Sequence, residues 1–378
     1  MSDEKKNPPP PASPRETETD TVTSNAETVP PPPRKRRERY SGSHPKKFSQ
    51  KYKESSDEVT REKIMAKGGT PAGTHRPIMV NEILEFLNPQ PGQIFVDCTL
   101  GYGGHTTEIL KRLQDPNGRK HGFLISFDRD PIESAKTEAR IRGLGFDANS
   151  FVVVHSNYSE LTRELHRLNV FGQVDGVLAD LGLSSMQIDD PSRGFTFKHE
   201  GPLDLRMDPT TGEPASSLLA KLSQEQLQEI LEKNSDEPRA RWCAKAILDQ
   251  QKRKPITTTT ELSDAVKSWM KTLSPKTREQ EGDTPIRRAM QALRIEVNQE
   301  FASLDKMLES LPSALNKVGR VAILSFHSGE DRRVKKTFQK FERDGLFSLV
   351  SPEAMRPSFD EQRANTRSKS AKLRTASR

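Results

Sequence analysis

Four short apolar runs recur between residues 94 and 181, each followed by a turn and then by residues with helical spacing. IFVDCTL (94–100), FLISFD (123–128), FVVVH (151–155) and VDGVLADL (174–181) have the length of buried strands, and residues 131–141 and 158–168 carry helical patterns between them. Repeated βα units of this kind predict an α/β fold: a mostly parallel, doubly wound sheet with helices on both faces. The pattern then stops. Residues 187–284 contain no convincing strand but three helical runs, at 217–231, 238–250 and 260–273, which predicts a helical insertion with a small core of its own. Beyond it a single long helix is expected over 285–311, since Met290, Leu293, Val297, Phe301, Leu304, Leu308 and Leu311 recur at helical spacing. Strand texture returns at VAILSF (321–326), and a helix to about residue 343 and a short strand near 346–350 follow.

The two ends read differently. Residues 1–70 hold ten of the 27 prolines and almost no apolar periodicity, so they are expected to stay disordered. The cluster RKRRER (34–39), with Lys46, Lys47, Lys51 and Lys53, suits an electrostatic arm for RNA, and a solubilising tail is the equal alternative. The chain carries 60 basic and 53 acidic side chains, but residues 1–70 contribute 15 and 11 of them and residues 361–378 contribute six and one. The body is therefore slightly acidic, and the positive charge is expected in two flexible ends.

Several classes fall away. No window approaches the ~20 apolar residues of a membrane helix, and the N-terminus lacks the apolar stretch of a secretory signal. Two cysteines, Cys98 and Cys243, build neither a disulfide scaffold nor a four-thiolate zinc site, so a reducing, cytoplasmic setting is expected.

The segment VDCTLGYGGHTTEIL puts an acid at the end of the first strand and Gly101, Gly103 and Gly104 in the turn that opens a helix. Glycine allows a sharp turn and close approach of a ligand, which suits a nicotinamide cofactor almost as well as S-adenosylmethionine. Asp128, at the end of the second strand, is placed to accept from ribose hydroxyls. Asp130, directly before Pro131, is expected to cap the next helix.

Seven blocks then point one way: HRPIMVNE (75–82), GYGGHTTEIL (101–110), FDRDP (127–131), DLGLSSMQIDDPSRGFTF (180–197), GPLDLRMDP (201–209), RAMQALRIEVNQE (288–300) and SFHSGEDRRVK (325–335). In these the chain, from about residue 75 onward, resembles the RsmH/MraW family. Those enzymes are S-adenosylmethionine-dependent methyltransferases that modify the exocyclic N4 amine of a cytidine in the decoding region of small-subunit (16S) ribosomal RNA. The resemblance implies a Rossmann-like class I methyltransferase fold, split into residues 71–186 and 285–378 by the insertion at 187–284, which would recognise substrate. It implies S-adenosyl-L-methionine held by Gly103, Gly104, His105, Asp128, Tyr158, Asp180 and Gln187. Its partner would be small-subunit ribosomal RNA or the assembled small subunit, with homodimerisation left open. Two positions depart from the family pattern: Tyr158 stands where phenylalanine is frequent, and Met186 where proline is.

A cytosine amine is a poor nucleophile, and acceptors that bond its hydrogens favour a more tetrahedral nitrogen and stabilise the developing positive charge. Asp180, at the end of the fourth strand, is the expected catalytic acceptor. Arg287, Gln291, Arg294 and Asn298 share one polar helix face suited to phosphates and base edges, against the alternative of an ordinary solvated face. His327 is expected to orient a phosphate or the cytidine, or else to bond its own loop. Arg206 is expected to pair within GPLDLRMDP. The histidines show no metal-ligand spacing, and methyl transfer needs no metal. A related methyltransferase acting on DNA or protein is the other reading.

Overall fold

The computed structural model describes residues 77–378 apart from Pro116 and Arg119, so the arm expected over residues 1–70 lies outside the described residues. Helix α1 (Val80–Leu87) leads into β1 (Ile94–Asp97), and the chain alternates through α2 (Gly104–Leu113), β2 (Phe123–Asp128), α3 (Pro131–Gly143), β3 (Phe151–His155), α4 (Leu161–Arg167) and β4 (Val174–Asp180). The two-residue period of the strands sorts their side chains. Phe95, Leu124 and Leu178 point to one face, where they join Ile83, Ile109 and Leu113 of α1 and α2. Val96, Ile125 and Val177 point to the other, with Leu161 and Leu165 of α4.

After β4 come five helices, α5 (Ser185–Asp189), α6 (Ala215–Leu219), α7 (Gln224–Ser235), α8 (Ala240–Arg253) and α9 (Thr259–Met270), then a short α10 (Pro275–Glu281). Ser223 and Thr258 start α7 and α9 with capping boxes, each satisfying two backbone N–H groups. Leu219, Leu227, Leu231, Ile247, Leu262 and Val266 are fully buried in a cluster separate from those on the sheet. Each is worth roughly 2 kcal/mol of transfer free energy.

The single helix expected over 285–311 is two: α11 (Thr284–Asn298) and α12 (Glu300–Ala314). Gln299 between them is left-handed, with φ 51°. The apolar spacing is continuous, but its two halves face different cores. Ile286, Met290 and Leu293 pack in the helical cluster, whereas Leu304, Leu308 and Leu311 pack on the sheet.

The chain finishes with β5 (Leu315–Ser325), α13 (Ser328–Arg343), β6 (Leu349–Val350), α14 (Phe359–Ala364) and β7 (Lys372–Ser377). The sheet order is β3-β2-β1-β4-β5-β7-β6. Strands β1 to β5 pair in parallel, and β7 runs antiparallel between β5 and β6. The C-terminal basic tail is therefore not a flexible end. Leu373 is buried on one face of the sheet and Ala376 on the other, while Lys372 and Arg374 both bond Asp331, each at 2.7 Å. Strand order reverses between β1 and β4, and in open α/β sheets the crevice at such a point, beyond the strands' carboxyl ends, is where ligands bind.

Candidate active site

Three neighbouring strands end in an aspartate at that crevice: Asp97, Asp128 and Asp180. Asp97 is buried and accepts from the Thr106 hydroxyl of α2 at 2.6 Å and from the Thr99 backbone N–H at 3.0 Å. Burial raises its pKa, and the Thr106 bond opposes the rise. It ties β1 to the first turn of α2.

Between these elements the glycines do not act alike. Gly101 is left-handed (φ 48°) with nothing closer than 3.9 Å to a hypothetical Cβ, so it opens onto space. A Cβ on Gly103 would lie 2.8 Å from Thr137 of α3, and one on Gly104 would lie 2.5 Å from Pro77. Packing alone already demands glycine at both positions. The cavity wall takes in Gly101, Tyr102, Gly104 and His105, with Gly103 set between them in the same turn. Arg140 lies over the Tyr102 ring at 3.6 Å and donates to its carbonyl, bracing the turn.

Asp128 accepts from the backbone N–H of Gly101 at 2.9 Å and of Asp130 at 2.8 Å, one on each oxygen. Burial pushes its pKa to about 6 against the pull of those two bonds. Each oxygen keeps a second lone pair, which two ribose hydroxyls can use. Asp130 caps α3 through the N–H groups of Ile132 and Glu133. Its other oxygen accepts from Gln187 at 2.9 Å and Arg193 at 2.8 Å.

Gln187 therefore has structural duties at both ends, since its carbonyl also accepts from the Ser184 N–H at 3.0 Å in a capping box. It lines the cavity but acts first as a brace. The anchorage to Asp130 supplies the restraint that a proline at position 186 would otherwise give the loop.

On the far side Asp180 lies 3.4 Å from His105 Nδ1. Its side chain is 29% exposed, and its pKa rises to about 6 through burial, opposed by His105 and reinforced by Asp97 and Glu330. Tyr158 follows β3 and lines the same cavity, its phenol pushed upward by burial. His327 caps α13, with Nε2 3.2 Å from Glu330 and its ring tilted against Phe301. Burial would raise the Glu330 carboxyl, but His327, the Phe326 N–H and Arg294 hold it below its usual range.

The expected polar face of α11 divides. Arg294 lines the cavity and pairs with Glu300. Gln291 also reaches the wall, donating to the Asn234 carbonyl at 3.1 Å. Asn298 is buried, and its side chain donates to the Leu205 carbonyl at 2.7 Å and accepts from the Met207 N–H at 2.8 Å, which gives it a packing role. Arg287 is exposed and stands outside the cavity wall. Arg206 pairs with Asp204 at 2.8 Å, within its own loop.

Sequence reasoning missed the contribution of the C-terminal segment. Asn365, Thr366, Arg367 and Ser370 wall the cavity, and Arg367 bonds Asp189 at 2.7 Å. Glu300 and Glu330 were also unassigned. KLRTAS (372–377) carries no apolar alternation that would have signalled its return to the sheet.

The cavity measures about 520 Å³, which suits a nucleoside-sized ligand with part of an acceptor. Asp128 with spare acceptor capacity, an aromatic ring and an open Gly101 fit the ribose, sulfonium and backbone approach of S-adenosylmethionine. Fold and site together define an S-adenosylmethionine-dependent methyltransferase of the doubly wound class. Residues 72–378 match the family described as the MraW methylase family. Ribosomal RNA small subunit methyltransferase H 2 of Alkaliphilus metalliredigens is 48% identical over 344 residues, spanning 90% of this chain and 96% of the relative. Methyltransferase H 1 of Lachnoclostridium phytofermentans is 47% identical over 344 residues, 90% of this chain and 92% of its own. The Nitrosospira multiformis enzyme is 39% identical across 81% of this chain and 98% of its own. The chain belongs to the MraW methylase family.

Among the described residues no helix is long and apolar enough to cross a membrane, and no His/Cys/Asp/Glu group could hold a metal ion. Cys98 and Cys243 are free and buried.

Proposed function

We propose that this enzyme methylates the exocyclic N4 amine of a cytidine in the decoding region of small-subunit ribosomal RNA, in the cytoplasm. The observation that carries this is the placement of Asp128, Tyr158 and Asp180 on one cavity at the carboxyl ends of the sheet. When bound, S-adenosylmethionine supplies a methyl group activated on a sulfonium.

Asp128 would accept from its ribose hydroxyls, the Tyr158 ring would flank its adenine or sulfonium, and Gly104 and His105 would line the turn beside it. Asp180 accepts the amine hydrogens of the cytidine, steering the nitrogen lone pair toward the methyl carbon and stabilising positive charge as it develops. Arg294 and His327, which line the same cavity, orient the nucleotide. Residues 187–284 recognise the surrounding RNA.

The test is mass spectrometry of small-subunit RNA from cells with and without the protein. Loss of one N4-methylcytidine supports the reading, and an unchanged methylation profile refutes it.

A further inference from the structure

His105 occupies the first turn of α2 with only 7% of its surface exposed. Its Nε2 lies 2.9 Å from the Ile78 carbonyl oxygen, which can only accept, so that nitrogen carries a proton. The next residue, Met79, donates its backbone N–H to Glu361 at 2.8 Å, so the segment holding the ring is itself anchored. On the other side Nδ1 faces Asp180 Oδ2 at 3.4 Å. An unprotonated nitrogen and an ionised carboxylate oxygen would oppose lone pair to lone pair. The two atoms lie within ion-pair distance, and a proton on Nδ1 would turn the contact from repulsive to attractive.

Asp180 is otherwise held from behind, its backbone N–H donating to Thr99 Oγ1 at 2.7 Å. The charged groups that act on it are His105, Asp97 and Glu330. Two of these three are carboxylates that oppose its ionisation, and His105 alone favours it. Oδ1 has no hydrogen-bond partner among the described residues, and Asp180 borders the cavity.

We propose that His105 is a positioning residue for proton removal: its imidazolium, pinned by the Ile78 carbonyl, keeps Asp180 ionised and turned so that Oδ1 takes the proton from the methylated amine. The proposal rests on the reading of Asp180 given above. In the step, the N4–methyl bond forms as the sulfonium carbon–sulfur bond breaks, leaving its electron pair on sulfur. The N4–H bonding pair then returns to nitrogen as its proton passes to Asp180, which releases it to solvent as product departs. His105 touches neither reacting atom and acts through the carboxylate.

The experiment measures kcat against pH for the full-length enzyme with small ribosomal subunits and S-adenosylmethionine, both saturating. The wild type is expected to lose activity on acidification through about pH 6, where Asp180 protonates. His105→Gln and His105→Asn carry no charge. Losing an adjacent opposite charge moves a carboxylate by about one unit, so their acidic limb shifts upward, with kcat reduced about threefold at pH 6.5 and largely recovered at pH 8.5.

An unmoved limb in both variants, with weakened cofactor affinity, would overturn the proposal and leave His105 as a cofactor ligand. Full activity in Asp180→Asn would instead overturn the underlying reading of Asp180. Should the His105 variants fail to fold, nitrogen-15 spectra of the wild-type histidines decide. A proton on His105 Nδ1, or shared with Asp180, supports the proposal, and a bare Nδ1 at pH 7 contradicts it.

Discussion

Arg294 and Glu300 form a two-pronged ion pair, Nε to Oε1 at 2.7 Å and Nη2 to Oε2 at 2.8 Å, across the left-handed break at Gln299. The pair joins the last turn of the helical core to the first turn of a sheet-packed helix, and both side chains are largely buried, at 14% and 10% exposure. Arg294→Ala strands a carboxylate in the cavity wall, a defect that costs about 3 kcal/mol. Urea unfolding of Arg294→Ala beside the double variant Arg294→Ala/Glu300→Ala checks this, with the double variant expected to be the more stable. Arg294→Lys cannot reproduce the fork and should lose activity while keeping most of the stability.

Asn298 separates a packing role from an RNA role. Its side chain bonds Leu205, Met207 and Arg294 and holds Leu205 in a left-handed conformation with φ 63°. Asn298→Ala leaves buried backbone groups unpaired, at about 1–3 kcal/mol each. The expected result is a lower unfolding midpoint with an unchanged salt dependence of RNA binding. A reduced salt slope with unchanged stability would return Asn298 to the RNA.

Asp128 predicts how cofactor affinity depends on pH. Its pKa of about 6 lies above the usual carboxylate range because of burial, so the ionised form that accepts from ribose is lost as pH falls through 6. Calorimetric affinity for S-adenosylmethionine should be level above pH 7 and fall by up to about tenfold per unit below 6. In Asp128→Ala it should be weak throughout, with the part of the pH dependence due to this group removed.

The C-terminus predicts a second contrast. A flexible basic tail would be dispensable for folding, but β7 fills the sheet between β5 and β6. Deleting residues 372–378 exposes the edge of β5 and leaves Asp331 without Lys372 and Arg374. The truncated chain is expected to aggregate on expression or to melt well below the full chain, and a soluble product with native melting temperature would refute this.

These contrasts mark what a single sequence can carry. Local signals were legible: the apolar strands, the Asp130 cap before Pro131, and the pairing of Arg206 with Asp204. Long-range choices were not. The apolar stripe through residues 286–311 is continuous, and nothing in it says that Met290 and Leu304 belong to different cores. A histidine in a glycine-rich turn does not announce that Asp180, 75 positions on, will face its ring. Charge also misleads when its partner is distant, as with Arg374 and Asp331.

The central claim is that Asp180, together with Asp128, serves methyl transfer to a cytidine N4. Purified enzyme, small ribosomal subunits and isotopically labelled S-adenosylmethionine test it directly, with nucleosides identified by mass spectrometry. The account predicts one labelled N4-methylcytidine with the wild type and a rate at least about a hundredfold lower with Asp180→Asn. Label on another nucleoside or on protein, or an Asp180→Asn rate equal to that of the wild type, would contradict it.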